Sequence, residues 1–203
     1  MVIGAGGNTS VKIENLVYIK PSGLSFIEME VADWVCVDFE TGKPQQHPKN
    51  HRPSSELQMH LDIYRAREDV NCIFHAHPPY TIGVSAAKVS LDHLFPDSVT
   101  YLGKKIPVVK YCEPCGPELA DLVDKNLGNN FSIVLINHGA ITVGKAPKVT
   151  YTRIKILEEL ARMHWIARSC SGPSEPYHTI PDEEVDKILN LKKIKYRQSL
   201  MDK

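Results

Sequence analysis

Apolar positions follow two different periods along the chain. In "ADWVCVDFETGK", Val35 and Val37 share one face and Cys36 lies on the other, the alternation that is typical of a strand. In "SSELQMHLDIYRAR", Leu57 and Leu61 recur at helical spacing after a pair of serines that are natural N-caps. Stretches of both kinds follow one another to the end of the sequence, so they predict a domain of mixed α/β class.

The same periodicities predict the order of the elements. Strands are expected at 15–23, 32–43, 70–77, 104–111 and 131–139, with a return strand from residue 139, and helices at 54–67, 79–87, 116–128, 146–172 and 179–200. Turns join the strands as often as helices do, which favours a mostly antiparallel sheet covered by helices. We expect one domain over residues 1–203, with a core at about 4–172 and a helical tail at about 173–203.

Charge and composition exclude several classes of function. The 203 residues hold 24 basic and 24 acidic side chains, so a phosphate-charge interface with nucleic acid is not expected. No apolar stretch approaches the length of a membrane span, and "MVIGAGGNTS" does not resemble a signal peptide. Five scattered cysteines do not resemble a disulfide framework. We therefore expect a cytoplasmic protein that binds neither membrane nor nucleic acid.

A histidine pair ends one of the predicted strands, in "VNCIFHAH". Because side chains alternate along a strand, His75 and His77 point the same way and can chelate one metal ion. His138 lies at the end of another apolar strand, in "LINHGA", and Glu56 lies in the first turn of a predicted helix. Three imidazoles and one carboxylate suit Zn²⁺, with another divalent metal as an alternative.

Three other stretches combine glycine with small polar residues in turns: "GAGGNTS", "KPSG" and "RPSSE". Glycine lets backbone N–H groups approach an anion closely, and a helix that begins at the two serines favours negative charge. Each stretch alone is typical of an ordinary turn or cap. Together, beside a metal site, they predict that the substrate is a small phosphorylated molecule.

These motifs in this order resemble the class II aldolase/adducin family, with the greatest likeness to its L-fuculose-1-phosphate aldolases. The resemblance covers about residues 4–170, without the helix that family members usually carry before "GAGGN". It implies a three-layer α/β/α fold with a largely antiparallel sheet. It also implies a homotetramer with active sites between subunits.

The resemblance implies a role for each site residue. The metal ligands are Glu56, His75, His77 and His138, and Glu56 leaves the metal to act as the catalytic base. A phosphate cradle carries over to six residues: Gly7, Asn8, Ser22, Gly23, Ser54 and Ser55. The implied enzyme is a zinc-dependent lyase of carbohydrate metabolism. It cleaves a ketose 1-phosphate to dihydroxyacetone phosphate and an aldehyde through a metal-stabilised enediolate.

Other functions within this fold stay open. A pentulose-phosphate 4-epimerase or a sugar-phosphate dehydratase would use similar metal chemistry, and an adducin-like binding module would use none. The proton donor is not assigned, with Tyr101, Tyr111 and Tyr177 as candidates. The pair Cys112 and Cys115 has C-x-x-C spacing but no second pair, so a metal or redox site is not expected there.

Two further residues receive structural assignments from the sequence. His60 lies on a predicted helix, where a packed or surface histidine is the usual case. Trp165 lies on the long predicted helix and is expected in the core.

Overall fold

A single mostly antiparallel sheet organises the structure. The computed structural model describes residues 2–172 and 175–201. Within them, seven strands lie in the order β3-β2-β1-β4-β7-β6-β5, and only the β5–β6 pair is parallel. The strands are β1 (Asn8–Ile13), β2 (Leu16–Ile19), β3 (Val35–Asp38), β4 (Cys72–Ala76), β5 (Val108–Val109), β6 (Ser132–Leu135) and β7 (Gly139–Gly144). The predicted sheet is confirmed.

Helices cover both faces of this sheet. They are α1 (Leu57–Ala66), α2 (Pro79–Ala86), α3 (Pro96–Leu102), α4 (Pro117–Leu127), α5 (Pro147–Ser171), α6 (Asp182–Asn190) and α7 (Lys192–Met201). One core includes apolar side chains of α1 and α4, and the other includes those of α2, α3 and α5. Strand side chains alternate between them, since Ile133 joins the first core and Val134 the second. The chain therefore has the three-layer α/β/α fold that was expected.

Several predicted elements were wrong in extent or missed. Strand β1 was not predicted, because "NTSVKI" places polar side chains where a buried strand usually has apolar ones. Helix α3 was missed as well. The strand expected at 104–111 is only two residues long, and the helix expected at 179–200 is two helices separated at Leu191.

The long helix α5 lies where it was predicted, but one of its side chains was assigned to the core and is exposed. Trp165 is 53% exposed, so its assignment to the core was wrong. Its ring centroid lies 5.7 Å from that of Tyr80 on α2, with the two rings tilted by 53°.

The C-terminal segment packs against the second helical layer. Lys104 and Asp186 form an ion pair at 2.7 Å, and Arg197 lies 3.2 Å from Asp97 on α3. Residues 173 and 174, where the tail was expected to begin, lie outside the described part of the chain. Among the described residues, no helix combines the length and apolar character that crossing a bilayer requires.

The sheet order places β4 at the centre, between β1 and β7. Asn8 on β1 is paired with His75, and Ala140 on β7 is paired with Ala76. Residues at the end of β4 therefore lie beside the start of both neighbouring strands, where the candidate site is found.

Candidate metal centre and active site

The three predicted histidines meet at the end of β4. His75 lies on the strand, His77 follows it, and His138 lies in the turn that leads from β6 into β7. The Nε2 atoms of His75 and His77 are 3.2 Å apart, and the rings of His75 and His138 have centroids 4.9 Å apart. One nitrogen from each ring can be chosen so that all three lie within 4.8 Å of one another.

Two glycines make this close approach possible. A Cβ on Gly139 would lie 2.3 Å from the carbonyl oxygen of Ala76 and 2.9 Å from the His77 ring. A Cβ on Gly7, which has a φ of +65°, would lie 2.8 Å from the carbonyl oxygen of His75. Real Cβ atoms do not approach a backbone oxygen so closely, so both positions require glycine.

Glu56 brings its carboxylate to the same point. Its Oε2 lies 3.3 Å from His75 Nε2, and its Oε1 lies 3.6 Å from His138 Nε2. The predicted location of Glu56 in the first helical turn was wrong, because it is the N-cap residue of α1. Its side chain does not cap the helix. It turns to the histidines instead and accepts a hydrogen bond of 2.7 Å from Asn8 Nδ2.

The protonation states suit metal binding. Burial lowers the pKa of His75 to about 4, and it also lowers the pKa of His77 and of His138. Burial raises the pKa of Glu56, but His75, the Asn8 amide and His138 outweigh it and hold the pKa below its ordinary value. The site therefore presents neutral imidazoles beside an ionised carboxylate.

Hydrogen bonding leaves donor atoms free for an ion. The Nδ1–H of His75 donates to the carbonyl oxygen of Ala140 at 3.1 Å, so its Nε2 lone pair faces His77 and Glu56. Among the described residues, no partner reaches the buried Nδ1 of His138. Ligands about 2.0–2.1 Å from one tetrahedral ion lie roughly 3.3 Å apart. The His75–His77, His75–Glu56 and His138–Glu56 separations are 3.2, 3.3 and 3.6 Å, and the three histidine nitrogens lie within 4.8 Å of one another, so the residues fit a small divalent cation.

A cavity of about 270 Å³ opens beside these ligands. Its lining includes Glu56, His77 and His138 from the metal centre. All six predicted cradle residues line it as well: Gly7, Asn8, Ser22, Gly23, Ser54 and Ser55. A larger cavity of about 900 Å³ lies between α2, β5 and α6, but it contains none of the converging ligands. The smaller cavity is therefore the candidate active site.

Backbone contacts hold the turns of this cavity together. Ser22 N–H donates to the Arg52 carbonyl at 2.9 Å, and Ser54 N–H donates to the Lys20 carbonyl at 3.0 Å. The Lys20 ammonium, which lines the cavity, donates to the carbonyl oxygen of Ala5 at 3.0 Å. One lysine thus joins "GAGGNTS" to "KPSG". Lys20 was not predicted as a site residue.

The comparisons with known proteins agree with this geometry. A family profile described as the class II aldolase and adducin N-terminal domain matches residues 1–165, most of the chain. The chain belongs to the class II aldolase and adducin family. The enzyme class expected from the sequence, an aldolase-type lyase, is confirmed, and the three histidines supply a site that could hold the metal on which class II aldolases depend.

Named relatives of this family are similar over most of their length. An L-fuculose phosphate aldolase of Methanococcus maripaludis is 39% identical over 168 residues, which cover 81% of this chain and 87% of the relative. A 5-deoxy-D-ribulose 1-phosphate aldolase of Bacillus thuringiensis serovar kurstaki is 30% identical, covering 91% and 84%. A solved L-fuculose 1-phosphate aldolase superposes with a TM-score of 0.81 at 28% identity, covering 91% and 84%.

The candidate tyrosines and the cysteine pair are placed differently with respect to this cavity. Tyr101, Tyr111 and Tyr177 do not line the cavity formed by the described residues, and the Tyr177 hydroxyl pairs with His164 Nδ1 at 2.8 Å. Cys115, which was set aside, does line it, and its Sγ lies 3.1 Å from Ser55 Oγ. The proximity of "SSE" to "CEPCG" depends on tertiary packing, so no local pattern indicates it.

Proposed function

We propose that this chain is a zinc-dependent aldolase that cleaves a ketose 1-phosphate to dihydroxyacetone phosphate and an aldehyde. One observation carries the proposal. The Glu56 carboxylate lies within 3.6 Å of two imidazole nitrogens and lines a cavity whose other walls are glycine and serine turns. A metal-assisted proton transfer beside a phosphate-binding pocket requires these two parts together.

The zinc ligands in this proposal are His75, His77, His138 and Glu56. Three nitrogens and one carboxylate oxygen are a common set for zinc. When bound, the ion acts as a Lewis acid that stabilises negative charge on the substrate carbonyl oxygen. The chain itself supplies the ring orientation, since the Ala140 carbonyl fixes the tautomer of His75.

The turns that line the rest of the cavity hold the phosphate. Ser22, Gly23, Ser54 and Ser55 offer hydroxyl or backbone donors, and Lys20 adds a positive charge. Ser54 and Ser55 precede helix α1, whose N-terminal dipole favours an anion. Fixing the phosphate at one end of the substrate places its reacting carbons beside Glu56.

Glu56 moves the proton. Its ionised carboxylate accepts a proton at a substrate carbon next to the carbonyl, or returns one there, according to the direction of the reaction. The neighbouring imidazoles are neutral at working pH, so they do not compete as proton donors. The proton of the substrate hydroxyl that becomes the aldehyde is transferred to a side chain outside this cavity. Tyr111, which is 54% exposed, is a candidate.

The proposal includes a homotetramer with active sites between subunits, as the family resemblance implies. Exposed apolar side chains support an association of this kind, because neighbouring apolar groups on a surface mark an interaction site, whereas scattered single ones do not. Trp165 and Ile166 are adjacent on α5 and are 53% and 44% exposed. Light scattering coupled to size exclusion measures the mass directly, and a monomer at micromolar concentration would contradict this part.

Two substrates are favoured by the relatives. L-Fuculose 1-phosphate and 5-deoxy-D-ribulose 1-phosphate are both ketose 1-phosphates, and they differ only beyond the bond that is cleaved. The metal centre and the cradle contact the shared half in this proposal. We therefore expect both to be cleaved, with different values of kcat/KM.

A coupled assay for dihydroxyacetone phosphate tests the proposal across a panel of ketose 1-phosphates, with and without a chelator. We expect release that the chelator abolishes and added Zn²⁺ restores. Glu56→Gln should lower kcat by about 100-fold or more, the range for loss of a general base, while Glu40→Gln at an exposed position should not.

Three outcomes would contradict the proposal. Full activity of Glu56→Gln would remove the assigned base. Conversion of the substrate without release of dihydroxyacetone phosphate would favour the epimerase or the dehydratase. A metal-free protein with no activity under mild purification would favour an adducin-like binding module.

A further inference from the structure

Four hydrogen bonds form a chain behind the Glu56 carboxylate. Tyr64 Oη lies 2.7 Å from Ser10 Oγ, and Ser10 Oγ lies 2.7 Å from His60 Nδ1. His60 Nε2 lies 2.5 Å from Asn8 Oδ1, and Asn8 Nδ2 lies 2.7 Å from Glu56 Oε2. The chain therefore runs from the buried face of helix α1 to the carboxylate at the metal centre, and the mechanism proposed above uses none of its inner members.

Two regular spacings bring the five residues together. Glu56, His60 and Tyr64 are four residues apart on one face of α1, and Asn8 and Ser10 are two apart on one face of β1. All five are buried, with exposed fractions of 6, 0, 1, 5 and 0% respectively. A helix face and a strand face thus enclose a polar line within an apolar layer. Such a line is costly unless every member has a partner.

The partners fix the direction of every bond. A carboxylate only accepts, so Asn8 must present its NH₂ group to Glu56 and its Oδ1 to His60. His60 must then carry its proton on Nε2, which leaves Nδ1 to accept the Ser10 hydroxyl. The Ser10 oxygen in turn accepts the hydroxyl of Tyr64. All four donors point toward Glu56.

We propose that His60 is a positioning residue for the reaction, because it holds the Asn8 amide in the one orientation that anchors the Glu56 carboxylate. Without its Nε2–H, the Asn8 amide is free to reverse, and Oδ1 would then face the carboxylate oxygen. The proposal rests on the role of Glu56 given above. It also changes the assignment of Asn8, whose amide atoms are both engaged inside the protein and serve the base instead of the phosphate.

The His60 ring keeps this role over the working pH range. Burial lowers the pKa of His60 to about 3, so the ring is neutral and a single tautomer is selected by its two partners. The ring is hydrogen-bonded to Asn8 and Ser10 from β1, and the titratable groups that act on it are Glu56, at the start of its own helix, and His75 from β4.

His60→Leu and His60→Gln form the central comparison. Leucine removes the donor to Asn8, whereas the glutamine amide can replace the Nε2–H. We expect His60→Leu to lower kcat, per bound metal, by about 10- to 100-fold, the effect typical of a group that orients a metal ligand. KM should change less than threefold, since the cradle turns are untouched. His60→Gln should recover most of kcat.

His164→Gln is the matched control for a general effect of removing a buried histidine. His164 is 1% exposed and bonded through both nitrogens, but it lies in the other helical layer. It should lower the melting temperature and leave kcat per bound metal unchanged. If His60→Leu does not fold, Ser10→Ala replaces it, and about a threefold to tenfold fall in kcat is expected. A kcat within twofold of wild type for His60→Leu, or for Ser10→Ala if His60→Leu does not fold, would overturn the proposal.

A second measurement needs no substrate. Long-range ¹H–¹⁵N spectra of the metal-free wild type should place the His60 proton on Nε2 from pH 6 to pH 8. A proton on Nδ1 would contradict the proposed chain of hydrogen bonds, even if the enzyme is active. Conversely, if no ketose phosphate is cleaved but the Nε2–H tautomer is found, the proposed function fails and the hydrogen-bonded chain stands.

Discussion

Two sets of histidines lie in different parts of the molecule and make different contacts: one lies beside α3 and on α5, and the other lies at the end of β4. In the set formed by His93 and His164, ring nitrogens meet protein groups: Ser98 Oγ at 2.8 Å, Tyr177 Oη at 2.8 Å and the Asp92 carbonyl oxygen at 2.7 Å. In the metal centre, Nε2 atoms face one another and one Nδ1 has no partner among the described residues.

The difference teaches how a ligand histidine is distinguished from a structural one. Burial lowers the pKa of His164 and of His75 alike, so the protonation state does not separate them. The two kinds of histidine differ in the lone pair of the unprotonated ring nitrogen. In a structural histidine this lone pair accepts a hydrogen bond from a hydroxyl group. In the metal centre several such lone pairs point at one place, an arrangement that only a cation makes favourable.

The largest expected effect is a difference in metal binding and activity between two single variants, each of which replaces one histidine from one set. His75→Ala should abolish stoichiometric zinc binding and lower activity by at least about 100-fold, beyond the range for residues that merely support a ligand. His164→Ala should keep both the metal and the activity, and lose about 1–3 kcal/mol of stability because Tyr177 and the Asp92 carbonyl lose their partner. Metal analysis and urea unfolding of both variants measure this, and equal metal loss would contradict the comparison.

A smaller effect is expected from the backbone that brings the ligands together. Gly139→Ala would place a methyl group 2.3 Å from the Ala76 carbonyl oxygen, so the two strands must separate. We expect a loss of about 1–3 kcal/mol, as for other forced overpacking, together with weaker metal binding. Gly83→Ala on α2 is the control, since nothing lies within 4 Å of its added Cβ. It should be neutral or slightly stabilising, and a similar loss there would refute the explanation.

The smallest effect concerns pH. The pKa of His60 falls from 6.5 to about 3 on folding because of burial, so below pH 6.5 the unfolded chain binds a proton that the folded chain excludes. Stability of the metal-free protein should therefore fall as pH decreases from 6.5 toward 4. In His60→Gln the slope should be shallower by about 1 kcal/mol per pH unit. Urea unfolding at pH 7, 6 and 5 tests this, and parallel slopes would contradict it.

Local spacing explains how much of the site could be predicted. The pair His75 and His77 needs only the alternation of a strand, and the turn after β6 needs only the glycine that follows His138. These are properties of neighbouring residues. Their convergence depends on β4 pairing with β7, which a sequence of separate strands does not determine.

The remaining features depend on long-range packing. Strand β1 was missed because Asn8 and Ser10 are polar, and the reason they are polar is the hydrogen-bonded line that they share with α1. His60 had a local signal that was not used, since it lies one helical turn after Glu56 on the same face. Cys115 had none, because its proximity to Ser55 joins segments sixty residues apart.

The far end of the hydrogen-bonded line has a consequence for isotope exchange. Tyr64 is its last member, with a hydroxyl that donates to Ser10 and lies 3.5 Å from the Asn71 carbonyl oxygen, and the residue is 1% exposed. Under the proposed reaction, a hydrogen that Glu56 takes from the substrate does not exchange with solvent through the interior of the protein. Deuterium from the solvent can enter the product only through the mouth of the cavity, so its incorporation should report how long that mouth stays open during each turnover.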